Sequence, residues 1–361
     1  MTDALLVSAG PVFTVEGTRR GEFARDVLRL EVRHDTQGLR TLKLRLLAIG
    51  PREGEETEGL LYLDGDIIGF GSRIEVSLGP PERARTVFRG AVSAIEASFH
   101  EEREPHVLLF AEDELMQLRM TRRVRSYEEV TDAEIARRIA SEHGLVARVD
   151  ADGPTHDVVH QWNMSDLAFL RERADRIQAE LWVDDRALHF QERERRAGEE
   201  IVLVQGNHLL AADLRADLAH QRTGATVSGY DAHRRDSIRE EAGEEVVQAE
   251  IAGGTTGPGI LERAFGSLPS HRVRDVPLRR GEAGSWARAE MLRRSRQFVT
   301  ISGTTRGTPG MDAGSRLTLE RVGSPFDGGG YRVTRVCHTY DLTSGYRTHF
   351  EAERPVMTGR I

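Results

Sequence analysis

Leu42, Leu44 and Leu46 alternate with Lys43 and Arg45, the period of two that leaves one strand face apolar and the other wet. The alternation returns at Ile74, Val76 and Leu78 and continues from 87 to 95, so residues 27–99 are predicted to form a small antiparallel sheet or barrel. Within that stretch Leu61, Tyr62 and Leu63 meet Asp64-Gly65-Asp66 before Ile67 and Ile68. This order predicts a hairpin closed by a tight Asp-Gly turn.

After about residue 125 the period changes to that of a helix. Thr131 and Glu134 have capping-box spacing: the hydroxyl can accept from the Glu134 amide while the carboxylate reaches back to the Thr131 amide. Ile135, Ala136, Ile139 and Ala140 follow on one stripe, and Gly144 stands where a C-terminal cap needs positive φ. A second helix is predicted from Ser165-Asp166, with Leu167, Leu170, Ala174 and Ile177 on one side, then a hairpin around Asp184-Asp185. Residues 121–200 are therefore expected to be an α+β insertion. It separates a first β-barrel domain at 1–120 from a second at 201–361, which carries a helix near 285–297. The acidic, glycine-bearing stretch 240–259 reads as a long loop.

The first and last thirds echo each other. GSRIEV at 71–76 is followed by Phe88-Arg-Gly90 and an alternating strand at 92–95; GSRLTL at 314–319 is followed by Phe326, a glycine run ending at Gly330, and an alternating strand at 333–336. The predicted fold class is mainly β: two related, tube-like β-barrel domains in one chain with a helical insertion. Three copies of such a chain would present six nearly equivalent modules, so a trimeric ring could meet a hexameric one. Gly90 and Gly330 are expected at turn positions. Trp162 and Trp182 are read as anchors of the insertion's core, with a subunit contact as the alternative.

Composition narrows the function classes. With 50 Lys+Arg against 58 Asp+Glu, the chain lacks the concentrated positive footprint of a nucleic-acid binder. Arginines at 119–125 and 293–296 read as solvated helix faces or an inter-subunit ion-pair surface. The only cysteine, Cys337, can form no internal disulfide and is read as a buried thiol. The N-terminus lacks a basic region followed by a long apolar run, and no apolar stretch approaches membrane-spanning length. A protein made in the bacterial cytoplasm without a signal peptide is expected.

Candidate chemistry is weak throughout. His156, Asp157 and His160 have the spacing of a zinc pair on a helix, but Gly153-Pro154 and Val158-Val159 make a surface loop entering a strand the better reading. Asp64 and Asp66 could serve as paired carboxylates, yet Gly65 between them favours a turn. The run Ala252-Gly253-Gly254-Thr255-Thr256-Gly257-Pro258-Gly259 lacks the lysine of a phosphate cradle and reads as a mobile loop. No cofactor, metal or catalytic residue is expected.

The run VTDAEIARRIASEHGL at 130–145, followed by QWNMSD at 161–166, FLRERA at 169–174 and LWV at 181–183, resembles the phage late control gene D proteins, the family similar to the N-terminal part of VgrG. AGSRL at 313–317, GYRVT at 330–334, His338 and GYRT at 345–348 resemble that family's second barrel. The resemblance implies a non-enzymatic baseplate hub: a trimer joining a six-fold tail tube to a three-fold spike. Baseplate wedge or sheath-proximal proteins, and a tape-measure end or cargo in the lumen, are further implied partners. No oligonucleotide-binding-type domain or needle-like β-helix follows before Ile361, so the spike is expected to be a separate protein, as in a phage tail, tailocin or extracellular injection particle. A peptidoglycan-hydrolysing tail protein is the alternative.

Overall fold

In the computed structural model, which describes residues 10–51, 58–151, 153–272, 277 and 279–358, the alternating leucines lie on a strand whose inward face is sealed. The first module comprises β1 (Val12–Val15), β2 (Val27–Asp35), β3 (Thr41–Leu47), β4 (Arg73–Leu78), β5 (Arg85–His100) and β6 (Arg103–Glu112). Its ladder runs β2-β3-β6-β5-β4-β1, antiparallel throughout. Leu42, Leu44, Leu46, Ile74, Val76 and Leu78 all point into one apolar cluster, as the period of two requires. The hairpin expected around Asp64-Gly65-Asp66 is absent. Residues 61–72 form an irregular excursion in which the Asp64 carboxylate accepts from the Asp66 amide at 3.2 Å. Leu61, Tyr62 and Ile68 are buried by docking onto the core instead of by strand pairing.

The insertion contains β7 (Arg122–Val130), α1 (Asp132–Glu142), β8 (Val146–Asp150), β9 (His156–Ser165), α2 (Asp166–Ile177), β10 (Ala179–Asp184) and β11 (Ala187–Glu192). β7 pairs with β9, β11 lies between β8 and β10, and the helices bury their apolar stripes in a second cluster.

The remaining elements are β12 (Glu200–Val204), β13 (Leu209–Ala216), β14 (Gly224–Asp231), β15 (Asp236–Gly243), α3 (Gly257–Phe265), α4 (Arg280–Arg296), β16 (Val299–Thr305), β17 (Arg316–Glu320), β18 (Gly328–Asp341) and β19 (Gly345–Arg354). The helix expected near 285–297 thus begins at Arg280, and with β14 and β15 it closes a small core of its own around Trp286 and Met291. The long loop expected at 240–259 is largely ordered structure. Thr256 caps α3 by accepting from the Gly259 amide at 3.1 Å, and Pro258 sits in the first turn, where its missing N–H costs nothing.

The second ladder runs β13-β16-β19-β18-β17-β12, the strand order of the first module, although β12 joins β17 parallel where β1 joins β4 antiparallel. The irregularities repeat too. One register shift falls between Val27 and Arg29 on β2 and its counterpart between Leu209 and Ala211 on β13; another falls between Val92 and Ala94 on β5 and its counterpart between Val333 and Arg335 on β18. The turn before β4 also recurs. The Gly69 amide donates to Ser72 Oγ and Gly71 to Val92 O; in the second copy Asp312 donates to Ser315 Oγ and Gly314 to Val333 O. Bulges re-aim a strand and are not scattered at random, so matched bulges in matched strands mark a repeated unit.

β2 joins the halves by pairing antiparallel with the second half of β18, from Asp35 opposite Arg335 to Arg29 opposite Asp341. The result is one continuous sheet that closes into no barrel among the described residues, in place of the two barrels expected.

Candidate functional site

Thr131 and Glu134 bond reciprocally: Thr131 Oγ1 accepts from the Glu134 amide at 3.2 Å, and the Thr131 amide donates to Glu134 Oε2 at 2.8 Å. At the other end of α1, Gly144 takes φ +65°, while its amide and that of Leu145 reach back to Ser141 O and Ala140 O. These two bonds form a Schellman cap and fix where the chain leaves α1.

The two tryptophans part company. Trp182 is buried on β10, stacked on His189 with ring centroids 4.5 Å apart and covered by the Arg196 guanidinium. Trp162 is no core anchor: it is 71% exposed on β9, directly opposite the exposed Val124 of β7. Ribbon pairing explains the error, since successive side chains on β9 alternate between the insertion's core and solvent.

Neither glycine lies in a hairpin turn. Gly90 sits mid-strand in β5 opposite Ile74 with ordinary φ, and a Cβ there would overlap the Glu112 carbonyl of β6. Gly330 does take φ +86°, but at the irregular start of β18, where the register against β17 shifts.

His156 corrects a second expectation. It lies in strand β9 and is sealed, not on a surface loop; Nδ1 lies 2.5 Å from Glu282 on α4 and Nε2 lies 3.2 Å from Asp132 on α1. Arg173 of α2 closes the cluster on Asp132. Burial opposes the imidazolium, but the bonds to Asp132 and Glu282 outweigh it and raise the pKa of His156. The cluster ties the insertion to the second half of the chain. His160 is exposed and bonds Ser126, and Asp157 pairs with Arg279. Among the described residues no three His, Cys, Asp or Glu side chains converge as a metal would need.

A second polar joint lies where three parts of the chain meet, and no local motif announces it. His34 of β2 is buried; its Nδ1 lies 2.6 Å from Asp312, and Arg40 donates to the same carboxylate at 2.6 Å. On the far side of the ring, Arg196 bridges His34 Nε2 at 3.3 Å and Glu180 at 3.1 Å, and Arg332 donates to Glu180 at 3.1 Å. Burial and then the neighbouring Arg40 push the pKa of His34 down to about 4, so the ring is neutral near pH 7. A buried, hydrogen-bonded network of this kind specifies one arrangement of modules and insertion.

A cleft of about 880 Å³ opens between α2, α4 and the second ladder, with Arg171, Arg193, Arg293 and Arg296 on its walls. Arg193 meets Glu353, Arg293 meets Glu290 and Arg296 meets Glu250, all within 3 Å. Arg171 instead donates to the Gln37 and Gly38 carbonyls at 2.8 and 3.0 Å, so these arginines are spent on structural bonds. Asp64 and Asp66 lie on the exposed turn far from them in sequence, and the 252–259 run is spent on capping α3. The half-buried Cys337 thiol, on β18, is pushed up in pKa by burial, which leaves it protonated and unreactive at neutral pH. Among the described residues no helix is long and apolar enough to cross a membrane.

The fold is that of phage tail proteins and type VI secretion components. The chain superposes over 96% of its length on 98% of the 43 kDa tail protein of prophage MuSo2 from Shewanella oneidensis, with a TM-score of 0.64 and 13% identity. It superposes equally on 96% of a tail protein from Neisseria meningitidis, with a TM-score of 0.65 and 12% identity. An E. coli type VI secretion component, described as structurally similar to bacteriophage T4 tail proteins gp27 and gp5, aligns over 77% of its own chain with a TM-score of 0.56 and 11% identity. The family model that matches is that of the Alg8 N-terminal domain, over residues 25–341, and the chain belongs to that family. That match does not confirm the late control gene D family expected from the motifs, while the structural neighbours are tail and type VI secretion proteins as that resemblance implies. No curated protein matches the chain.

Proposed function

We propose that the chain is the structural baseplate hub of a contractile phage tail, tailocin or extracellular injection system, a homotrimer that adapts a six-fold tail tube to a separate three-fold spike. The observation that carries this reading is the repeated sheet module, matched in strand order and at two bulges in each copy. Three chains then offer six near-equivalent ladders to a hexameric tube ring while keeping threefold symmetry for the spike. The polar joints at His34 and His156 suit such a part, because they hold modules and insertion in one geometry.

In this reading residues 1–120 and 201–361 are the tube-matching domains and 121–200 the insertion. Baseplate wedge or sheath-proximal proteins bind outside, a tape-measure end or cargo occupies the lumen, and the chain is made in the bacterial cytoplasm and incorporated in the baseplate of the particle. The neighbours' descriptions as tail proteins, and a VgrG complex from Francisella with a TM-score of 0.51, support the same class. Kinship with late control gene D proteins is part of the proposal. The hydrolase alternative gains nothing from the exposed Asp64 and Asp66 turn.

Light scattering on the purified full chain at micromolar concentration tests the proposal: a trimer that co-purifies with tube and spike proteins is expected. A strict monomer that binds neither overturns it.

A further inference from the structure

The repeat supplies a template for an interface that the single chain leaves unmade. Within the chain, β2 pairs with the second half of β18, and this pairing buries Leu30, Val32 and His34 on one strand and Val336 and His338 on the other. The equivalents of these two edges are β13 and the second half of β5. Among the described residues neither edge has a strand against it: β13 pairs with β16 and otherwise makes one bridge, from Leu209 to Gln205 in the turn before it, and residues 94–100 of β5 pair only with β6. The side chains there are uncovered in step. Ala97, Phe99, Leu210 and Ala216 are exposed, and Ala212 and Leu214 half-exposed, at positions where most of their counterparts in the internal joint are buried.

We propose that β13 of one copy of this chain pairs antiparallel with residues 94–100 of β5 in the next, reproducing between copies the pairing of β2 with β18. The matched bulges fix the register. Thr339 opposite Glu31 becomes Ser98 opposite Asp213, and Cys337 opposite Arg33 becomes Glu96 opposite Arg215. That register places opposite charges across the new ladder at Glu96 and Arg215, a favourable cross-strand pair.

One further correspondence points to a second copy as the occupant. The internal joint carries the His34 and Asp312 pair; the equivalent positions are Ala216 and Gly69, so both members change together. Small residues replace the buried histidine and its half-exposed carboxylate partner, and Phe70, 74% exposed, is the counterpart of the buried Ala313 of the internal joint. An open edge of this length with apolar side chains is an aggregation hazard unless it is covered, and a head-to-tail pairing covers every such edge when it closes into a ring. The inference rests on the hub reading only for the closure at three copies.

The test uses the full chain in a Cys337→Ser background, with Ser98→Cys and Asp213→Cys introduced together. Directly opposed residues on paired strands lie close enough for a disulfide. Mild oxidation is expected to give intermolecular bonds up to a trimer, whereas Ala94→Cys with Asp213→Cys, four residues out of register, gives none. As a second arm, Glu96→Arg and Arg215→Glu are each expected to weaken self-association several-fold, and the double reversal to restore it. An oligomer by light scattering that neither cross-links in register nor responds to the reversals places the interface elsewhere and overturns this inference alone. A chain that is monomeric with and without oxidation overturns it together with the hub reading.

Discussion

Gly90→Ala tests whether the first module depends on the close approach of β5 and β6. A Cβ at Gly90 would overlap the Glu112 carbonyl and lie 2.7 Å from both the Glu112 carbonyl carbon and Phe88 Cζ. Two of these three atoms are backbone and belong to a neighbouring strand, so relief requires β6 to shift against its ladder to β3. Overpacking of this kind costs about 1–3 kcal/mol. At roughly 2–4 °C per kcal/mol for a chain of this size, the melting temperature should fall by about 2–12 °C. Gly69→Ala is the control, because no atom lies within 4 Å of the added carbon there and φ is not positive; its effect should stay within about 0.5 kcal/mol. Differential scanning calorimetry on the two variants decides the point. If Gly90→Ala melts with the wild type, the reasoning about strand approach is refuted.

Thr131→Ala removes one partner of the capping box on α1 and should cost about 1 kcal/mol in urea unfolding, with no change in the slope. Trp182→Ala should cost about 3 kcal/mol or more, because it opens a cavity under His189 and Arg196; Trp162→Ala should leave thermal stability nearly unchanged. Acid should weaken the joint between modules. His34 and His338 are both pushed down to about 4, so the unfolded chain binds their protons first, and stability falls as pH drops from about 6.5 to about 4, on the order of 2–3 kcal/mol per histidine. His338→Asn should flatten that arm in urea titrations at successive pH values. An unchanged slope contradicts the burial argument.

Locally encoded features were legible before the structure was known. The leucine alternation on β3 reports its own burial, and Thr131, Glu134 and Gly144 define the two ends of α1 within one helix's length. The repeat was visible as GSRIEV and GSRLTL, because the turn it encodes uses the same serine bond in both copies. Features set by distant partners were not legible. His156 looked like a loop residue because Glu282 lies 126 positions away, and the His34 network draws on Asp312, 278 positions away. Gly257-Pro258 looked like loop punctuation, although Thr256 and proline together also spell a helix start. The Asp64-Gly65-Asp66 turn misled for a different reason: a turn signal says where the chain reverses, and the ladder forms only if the flanking apolar residues face each other and not the core.

A reconstruction of the purified oligomer by electron cryomicroscopy tests the central claim most directly. The account predicts a threefold axis surrounded by six near-equivalent ladders, with the sheet passing unbroken from β13 of one copy to β5 of the next. Any other symmetry, or a ring in which the two modules of each chain lie in unrelated environments, contradicts it.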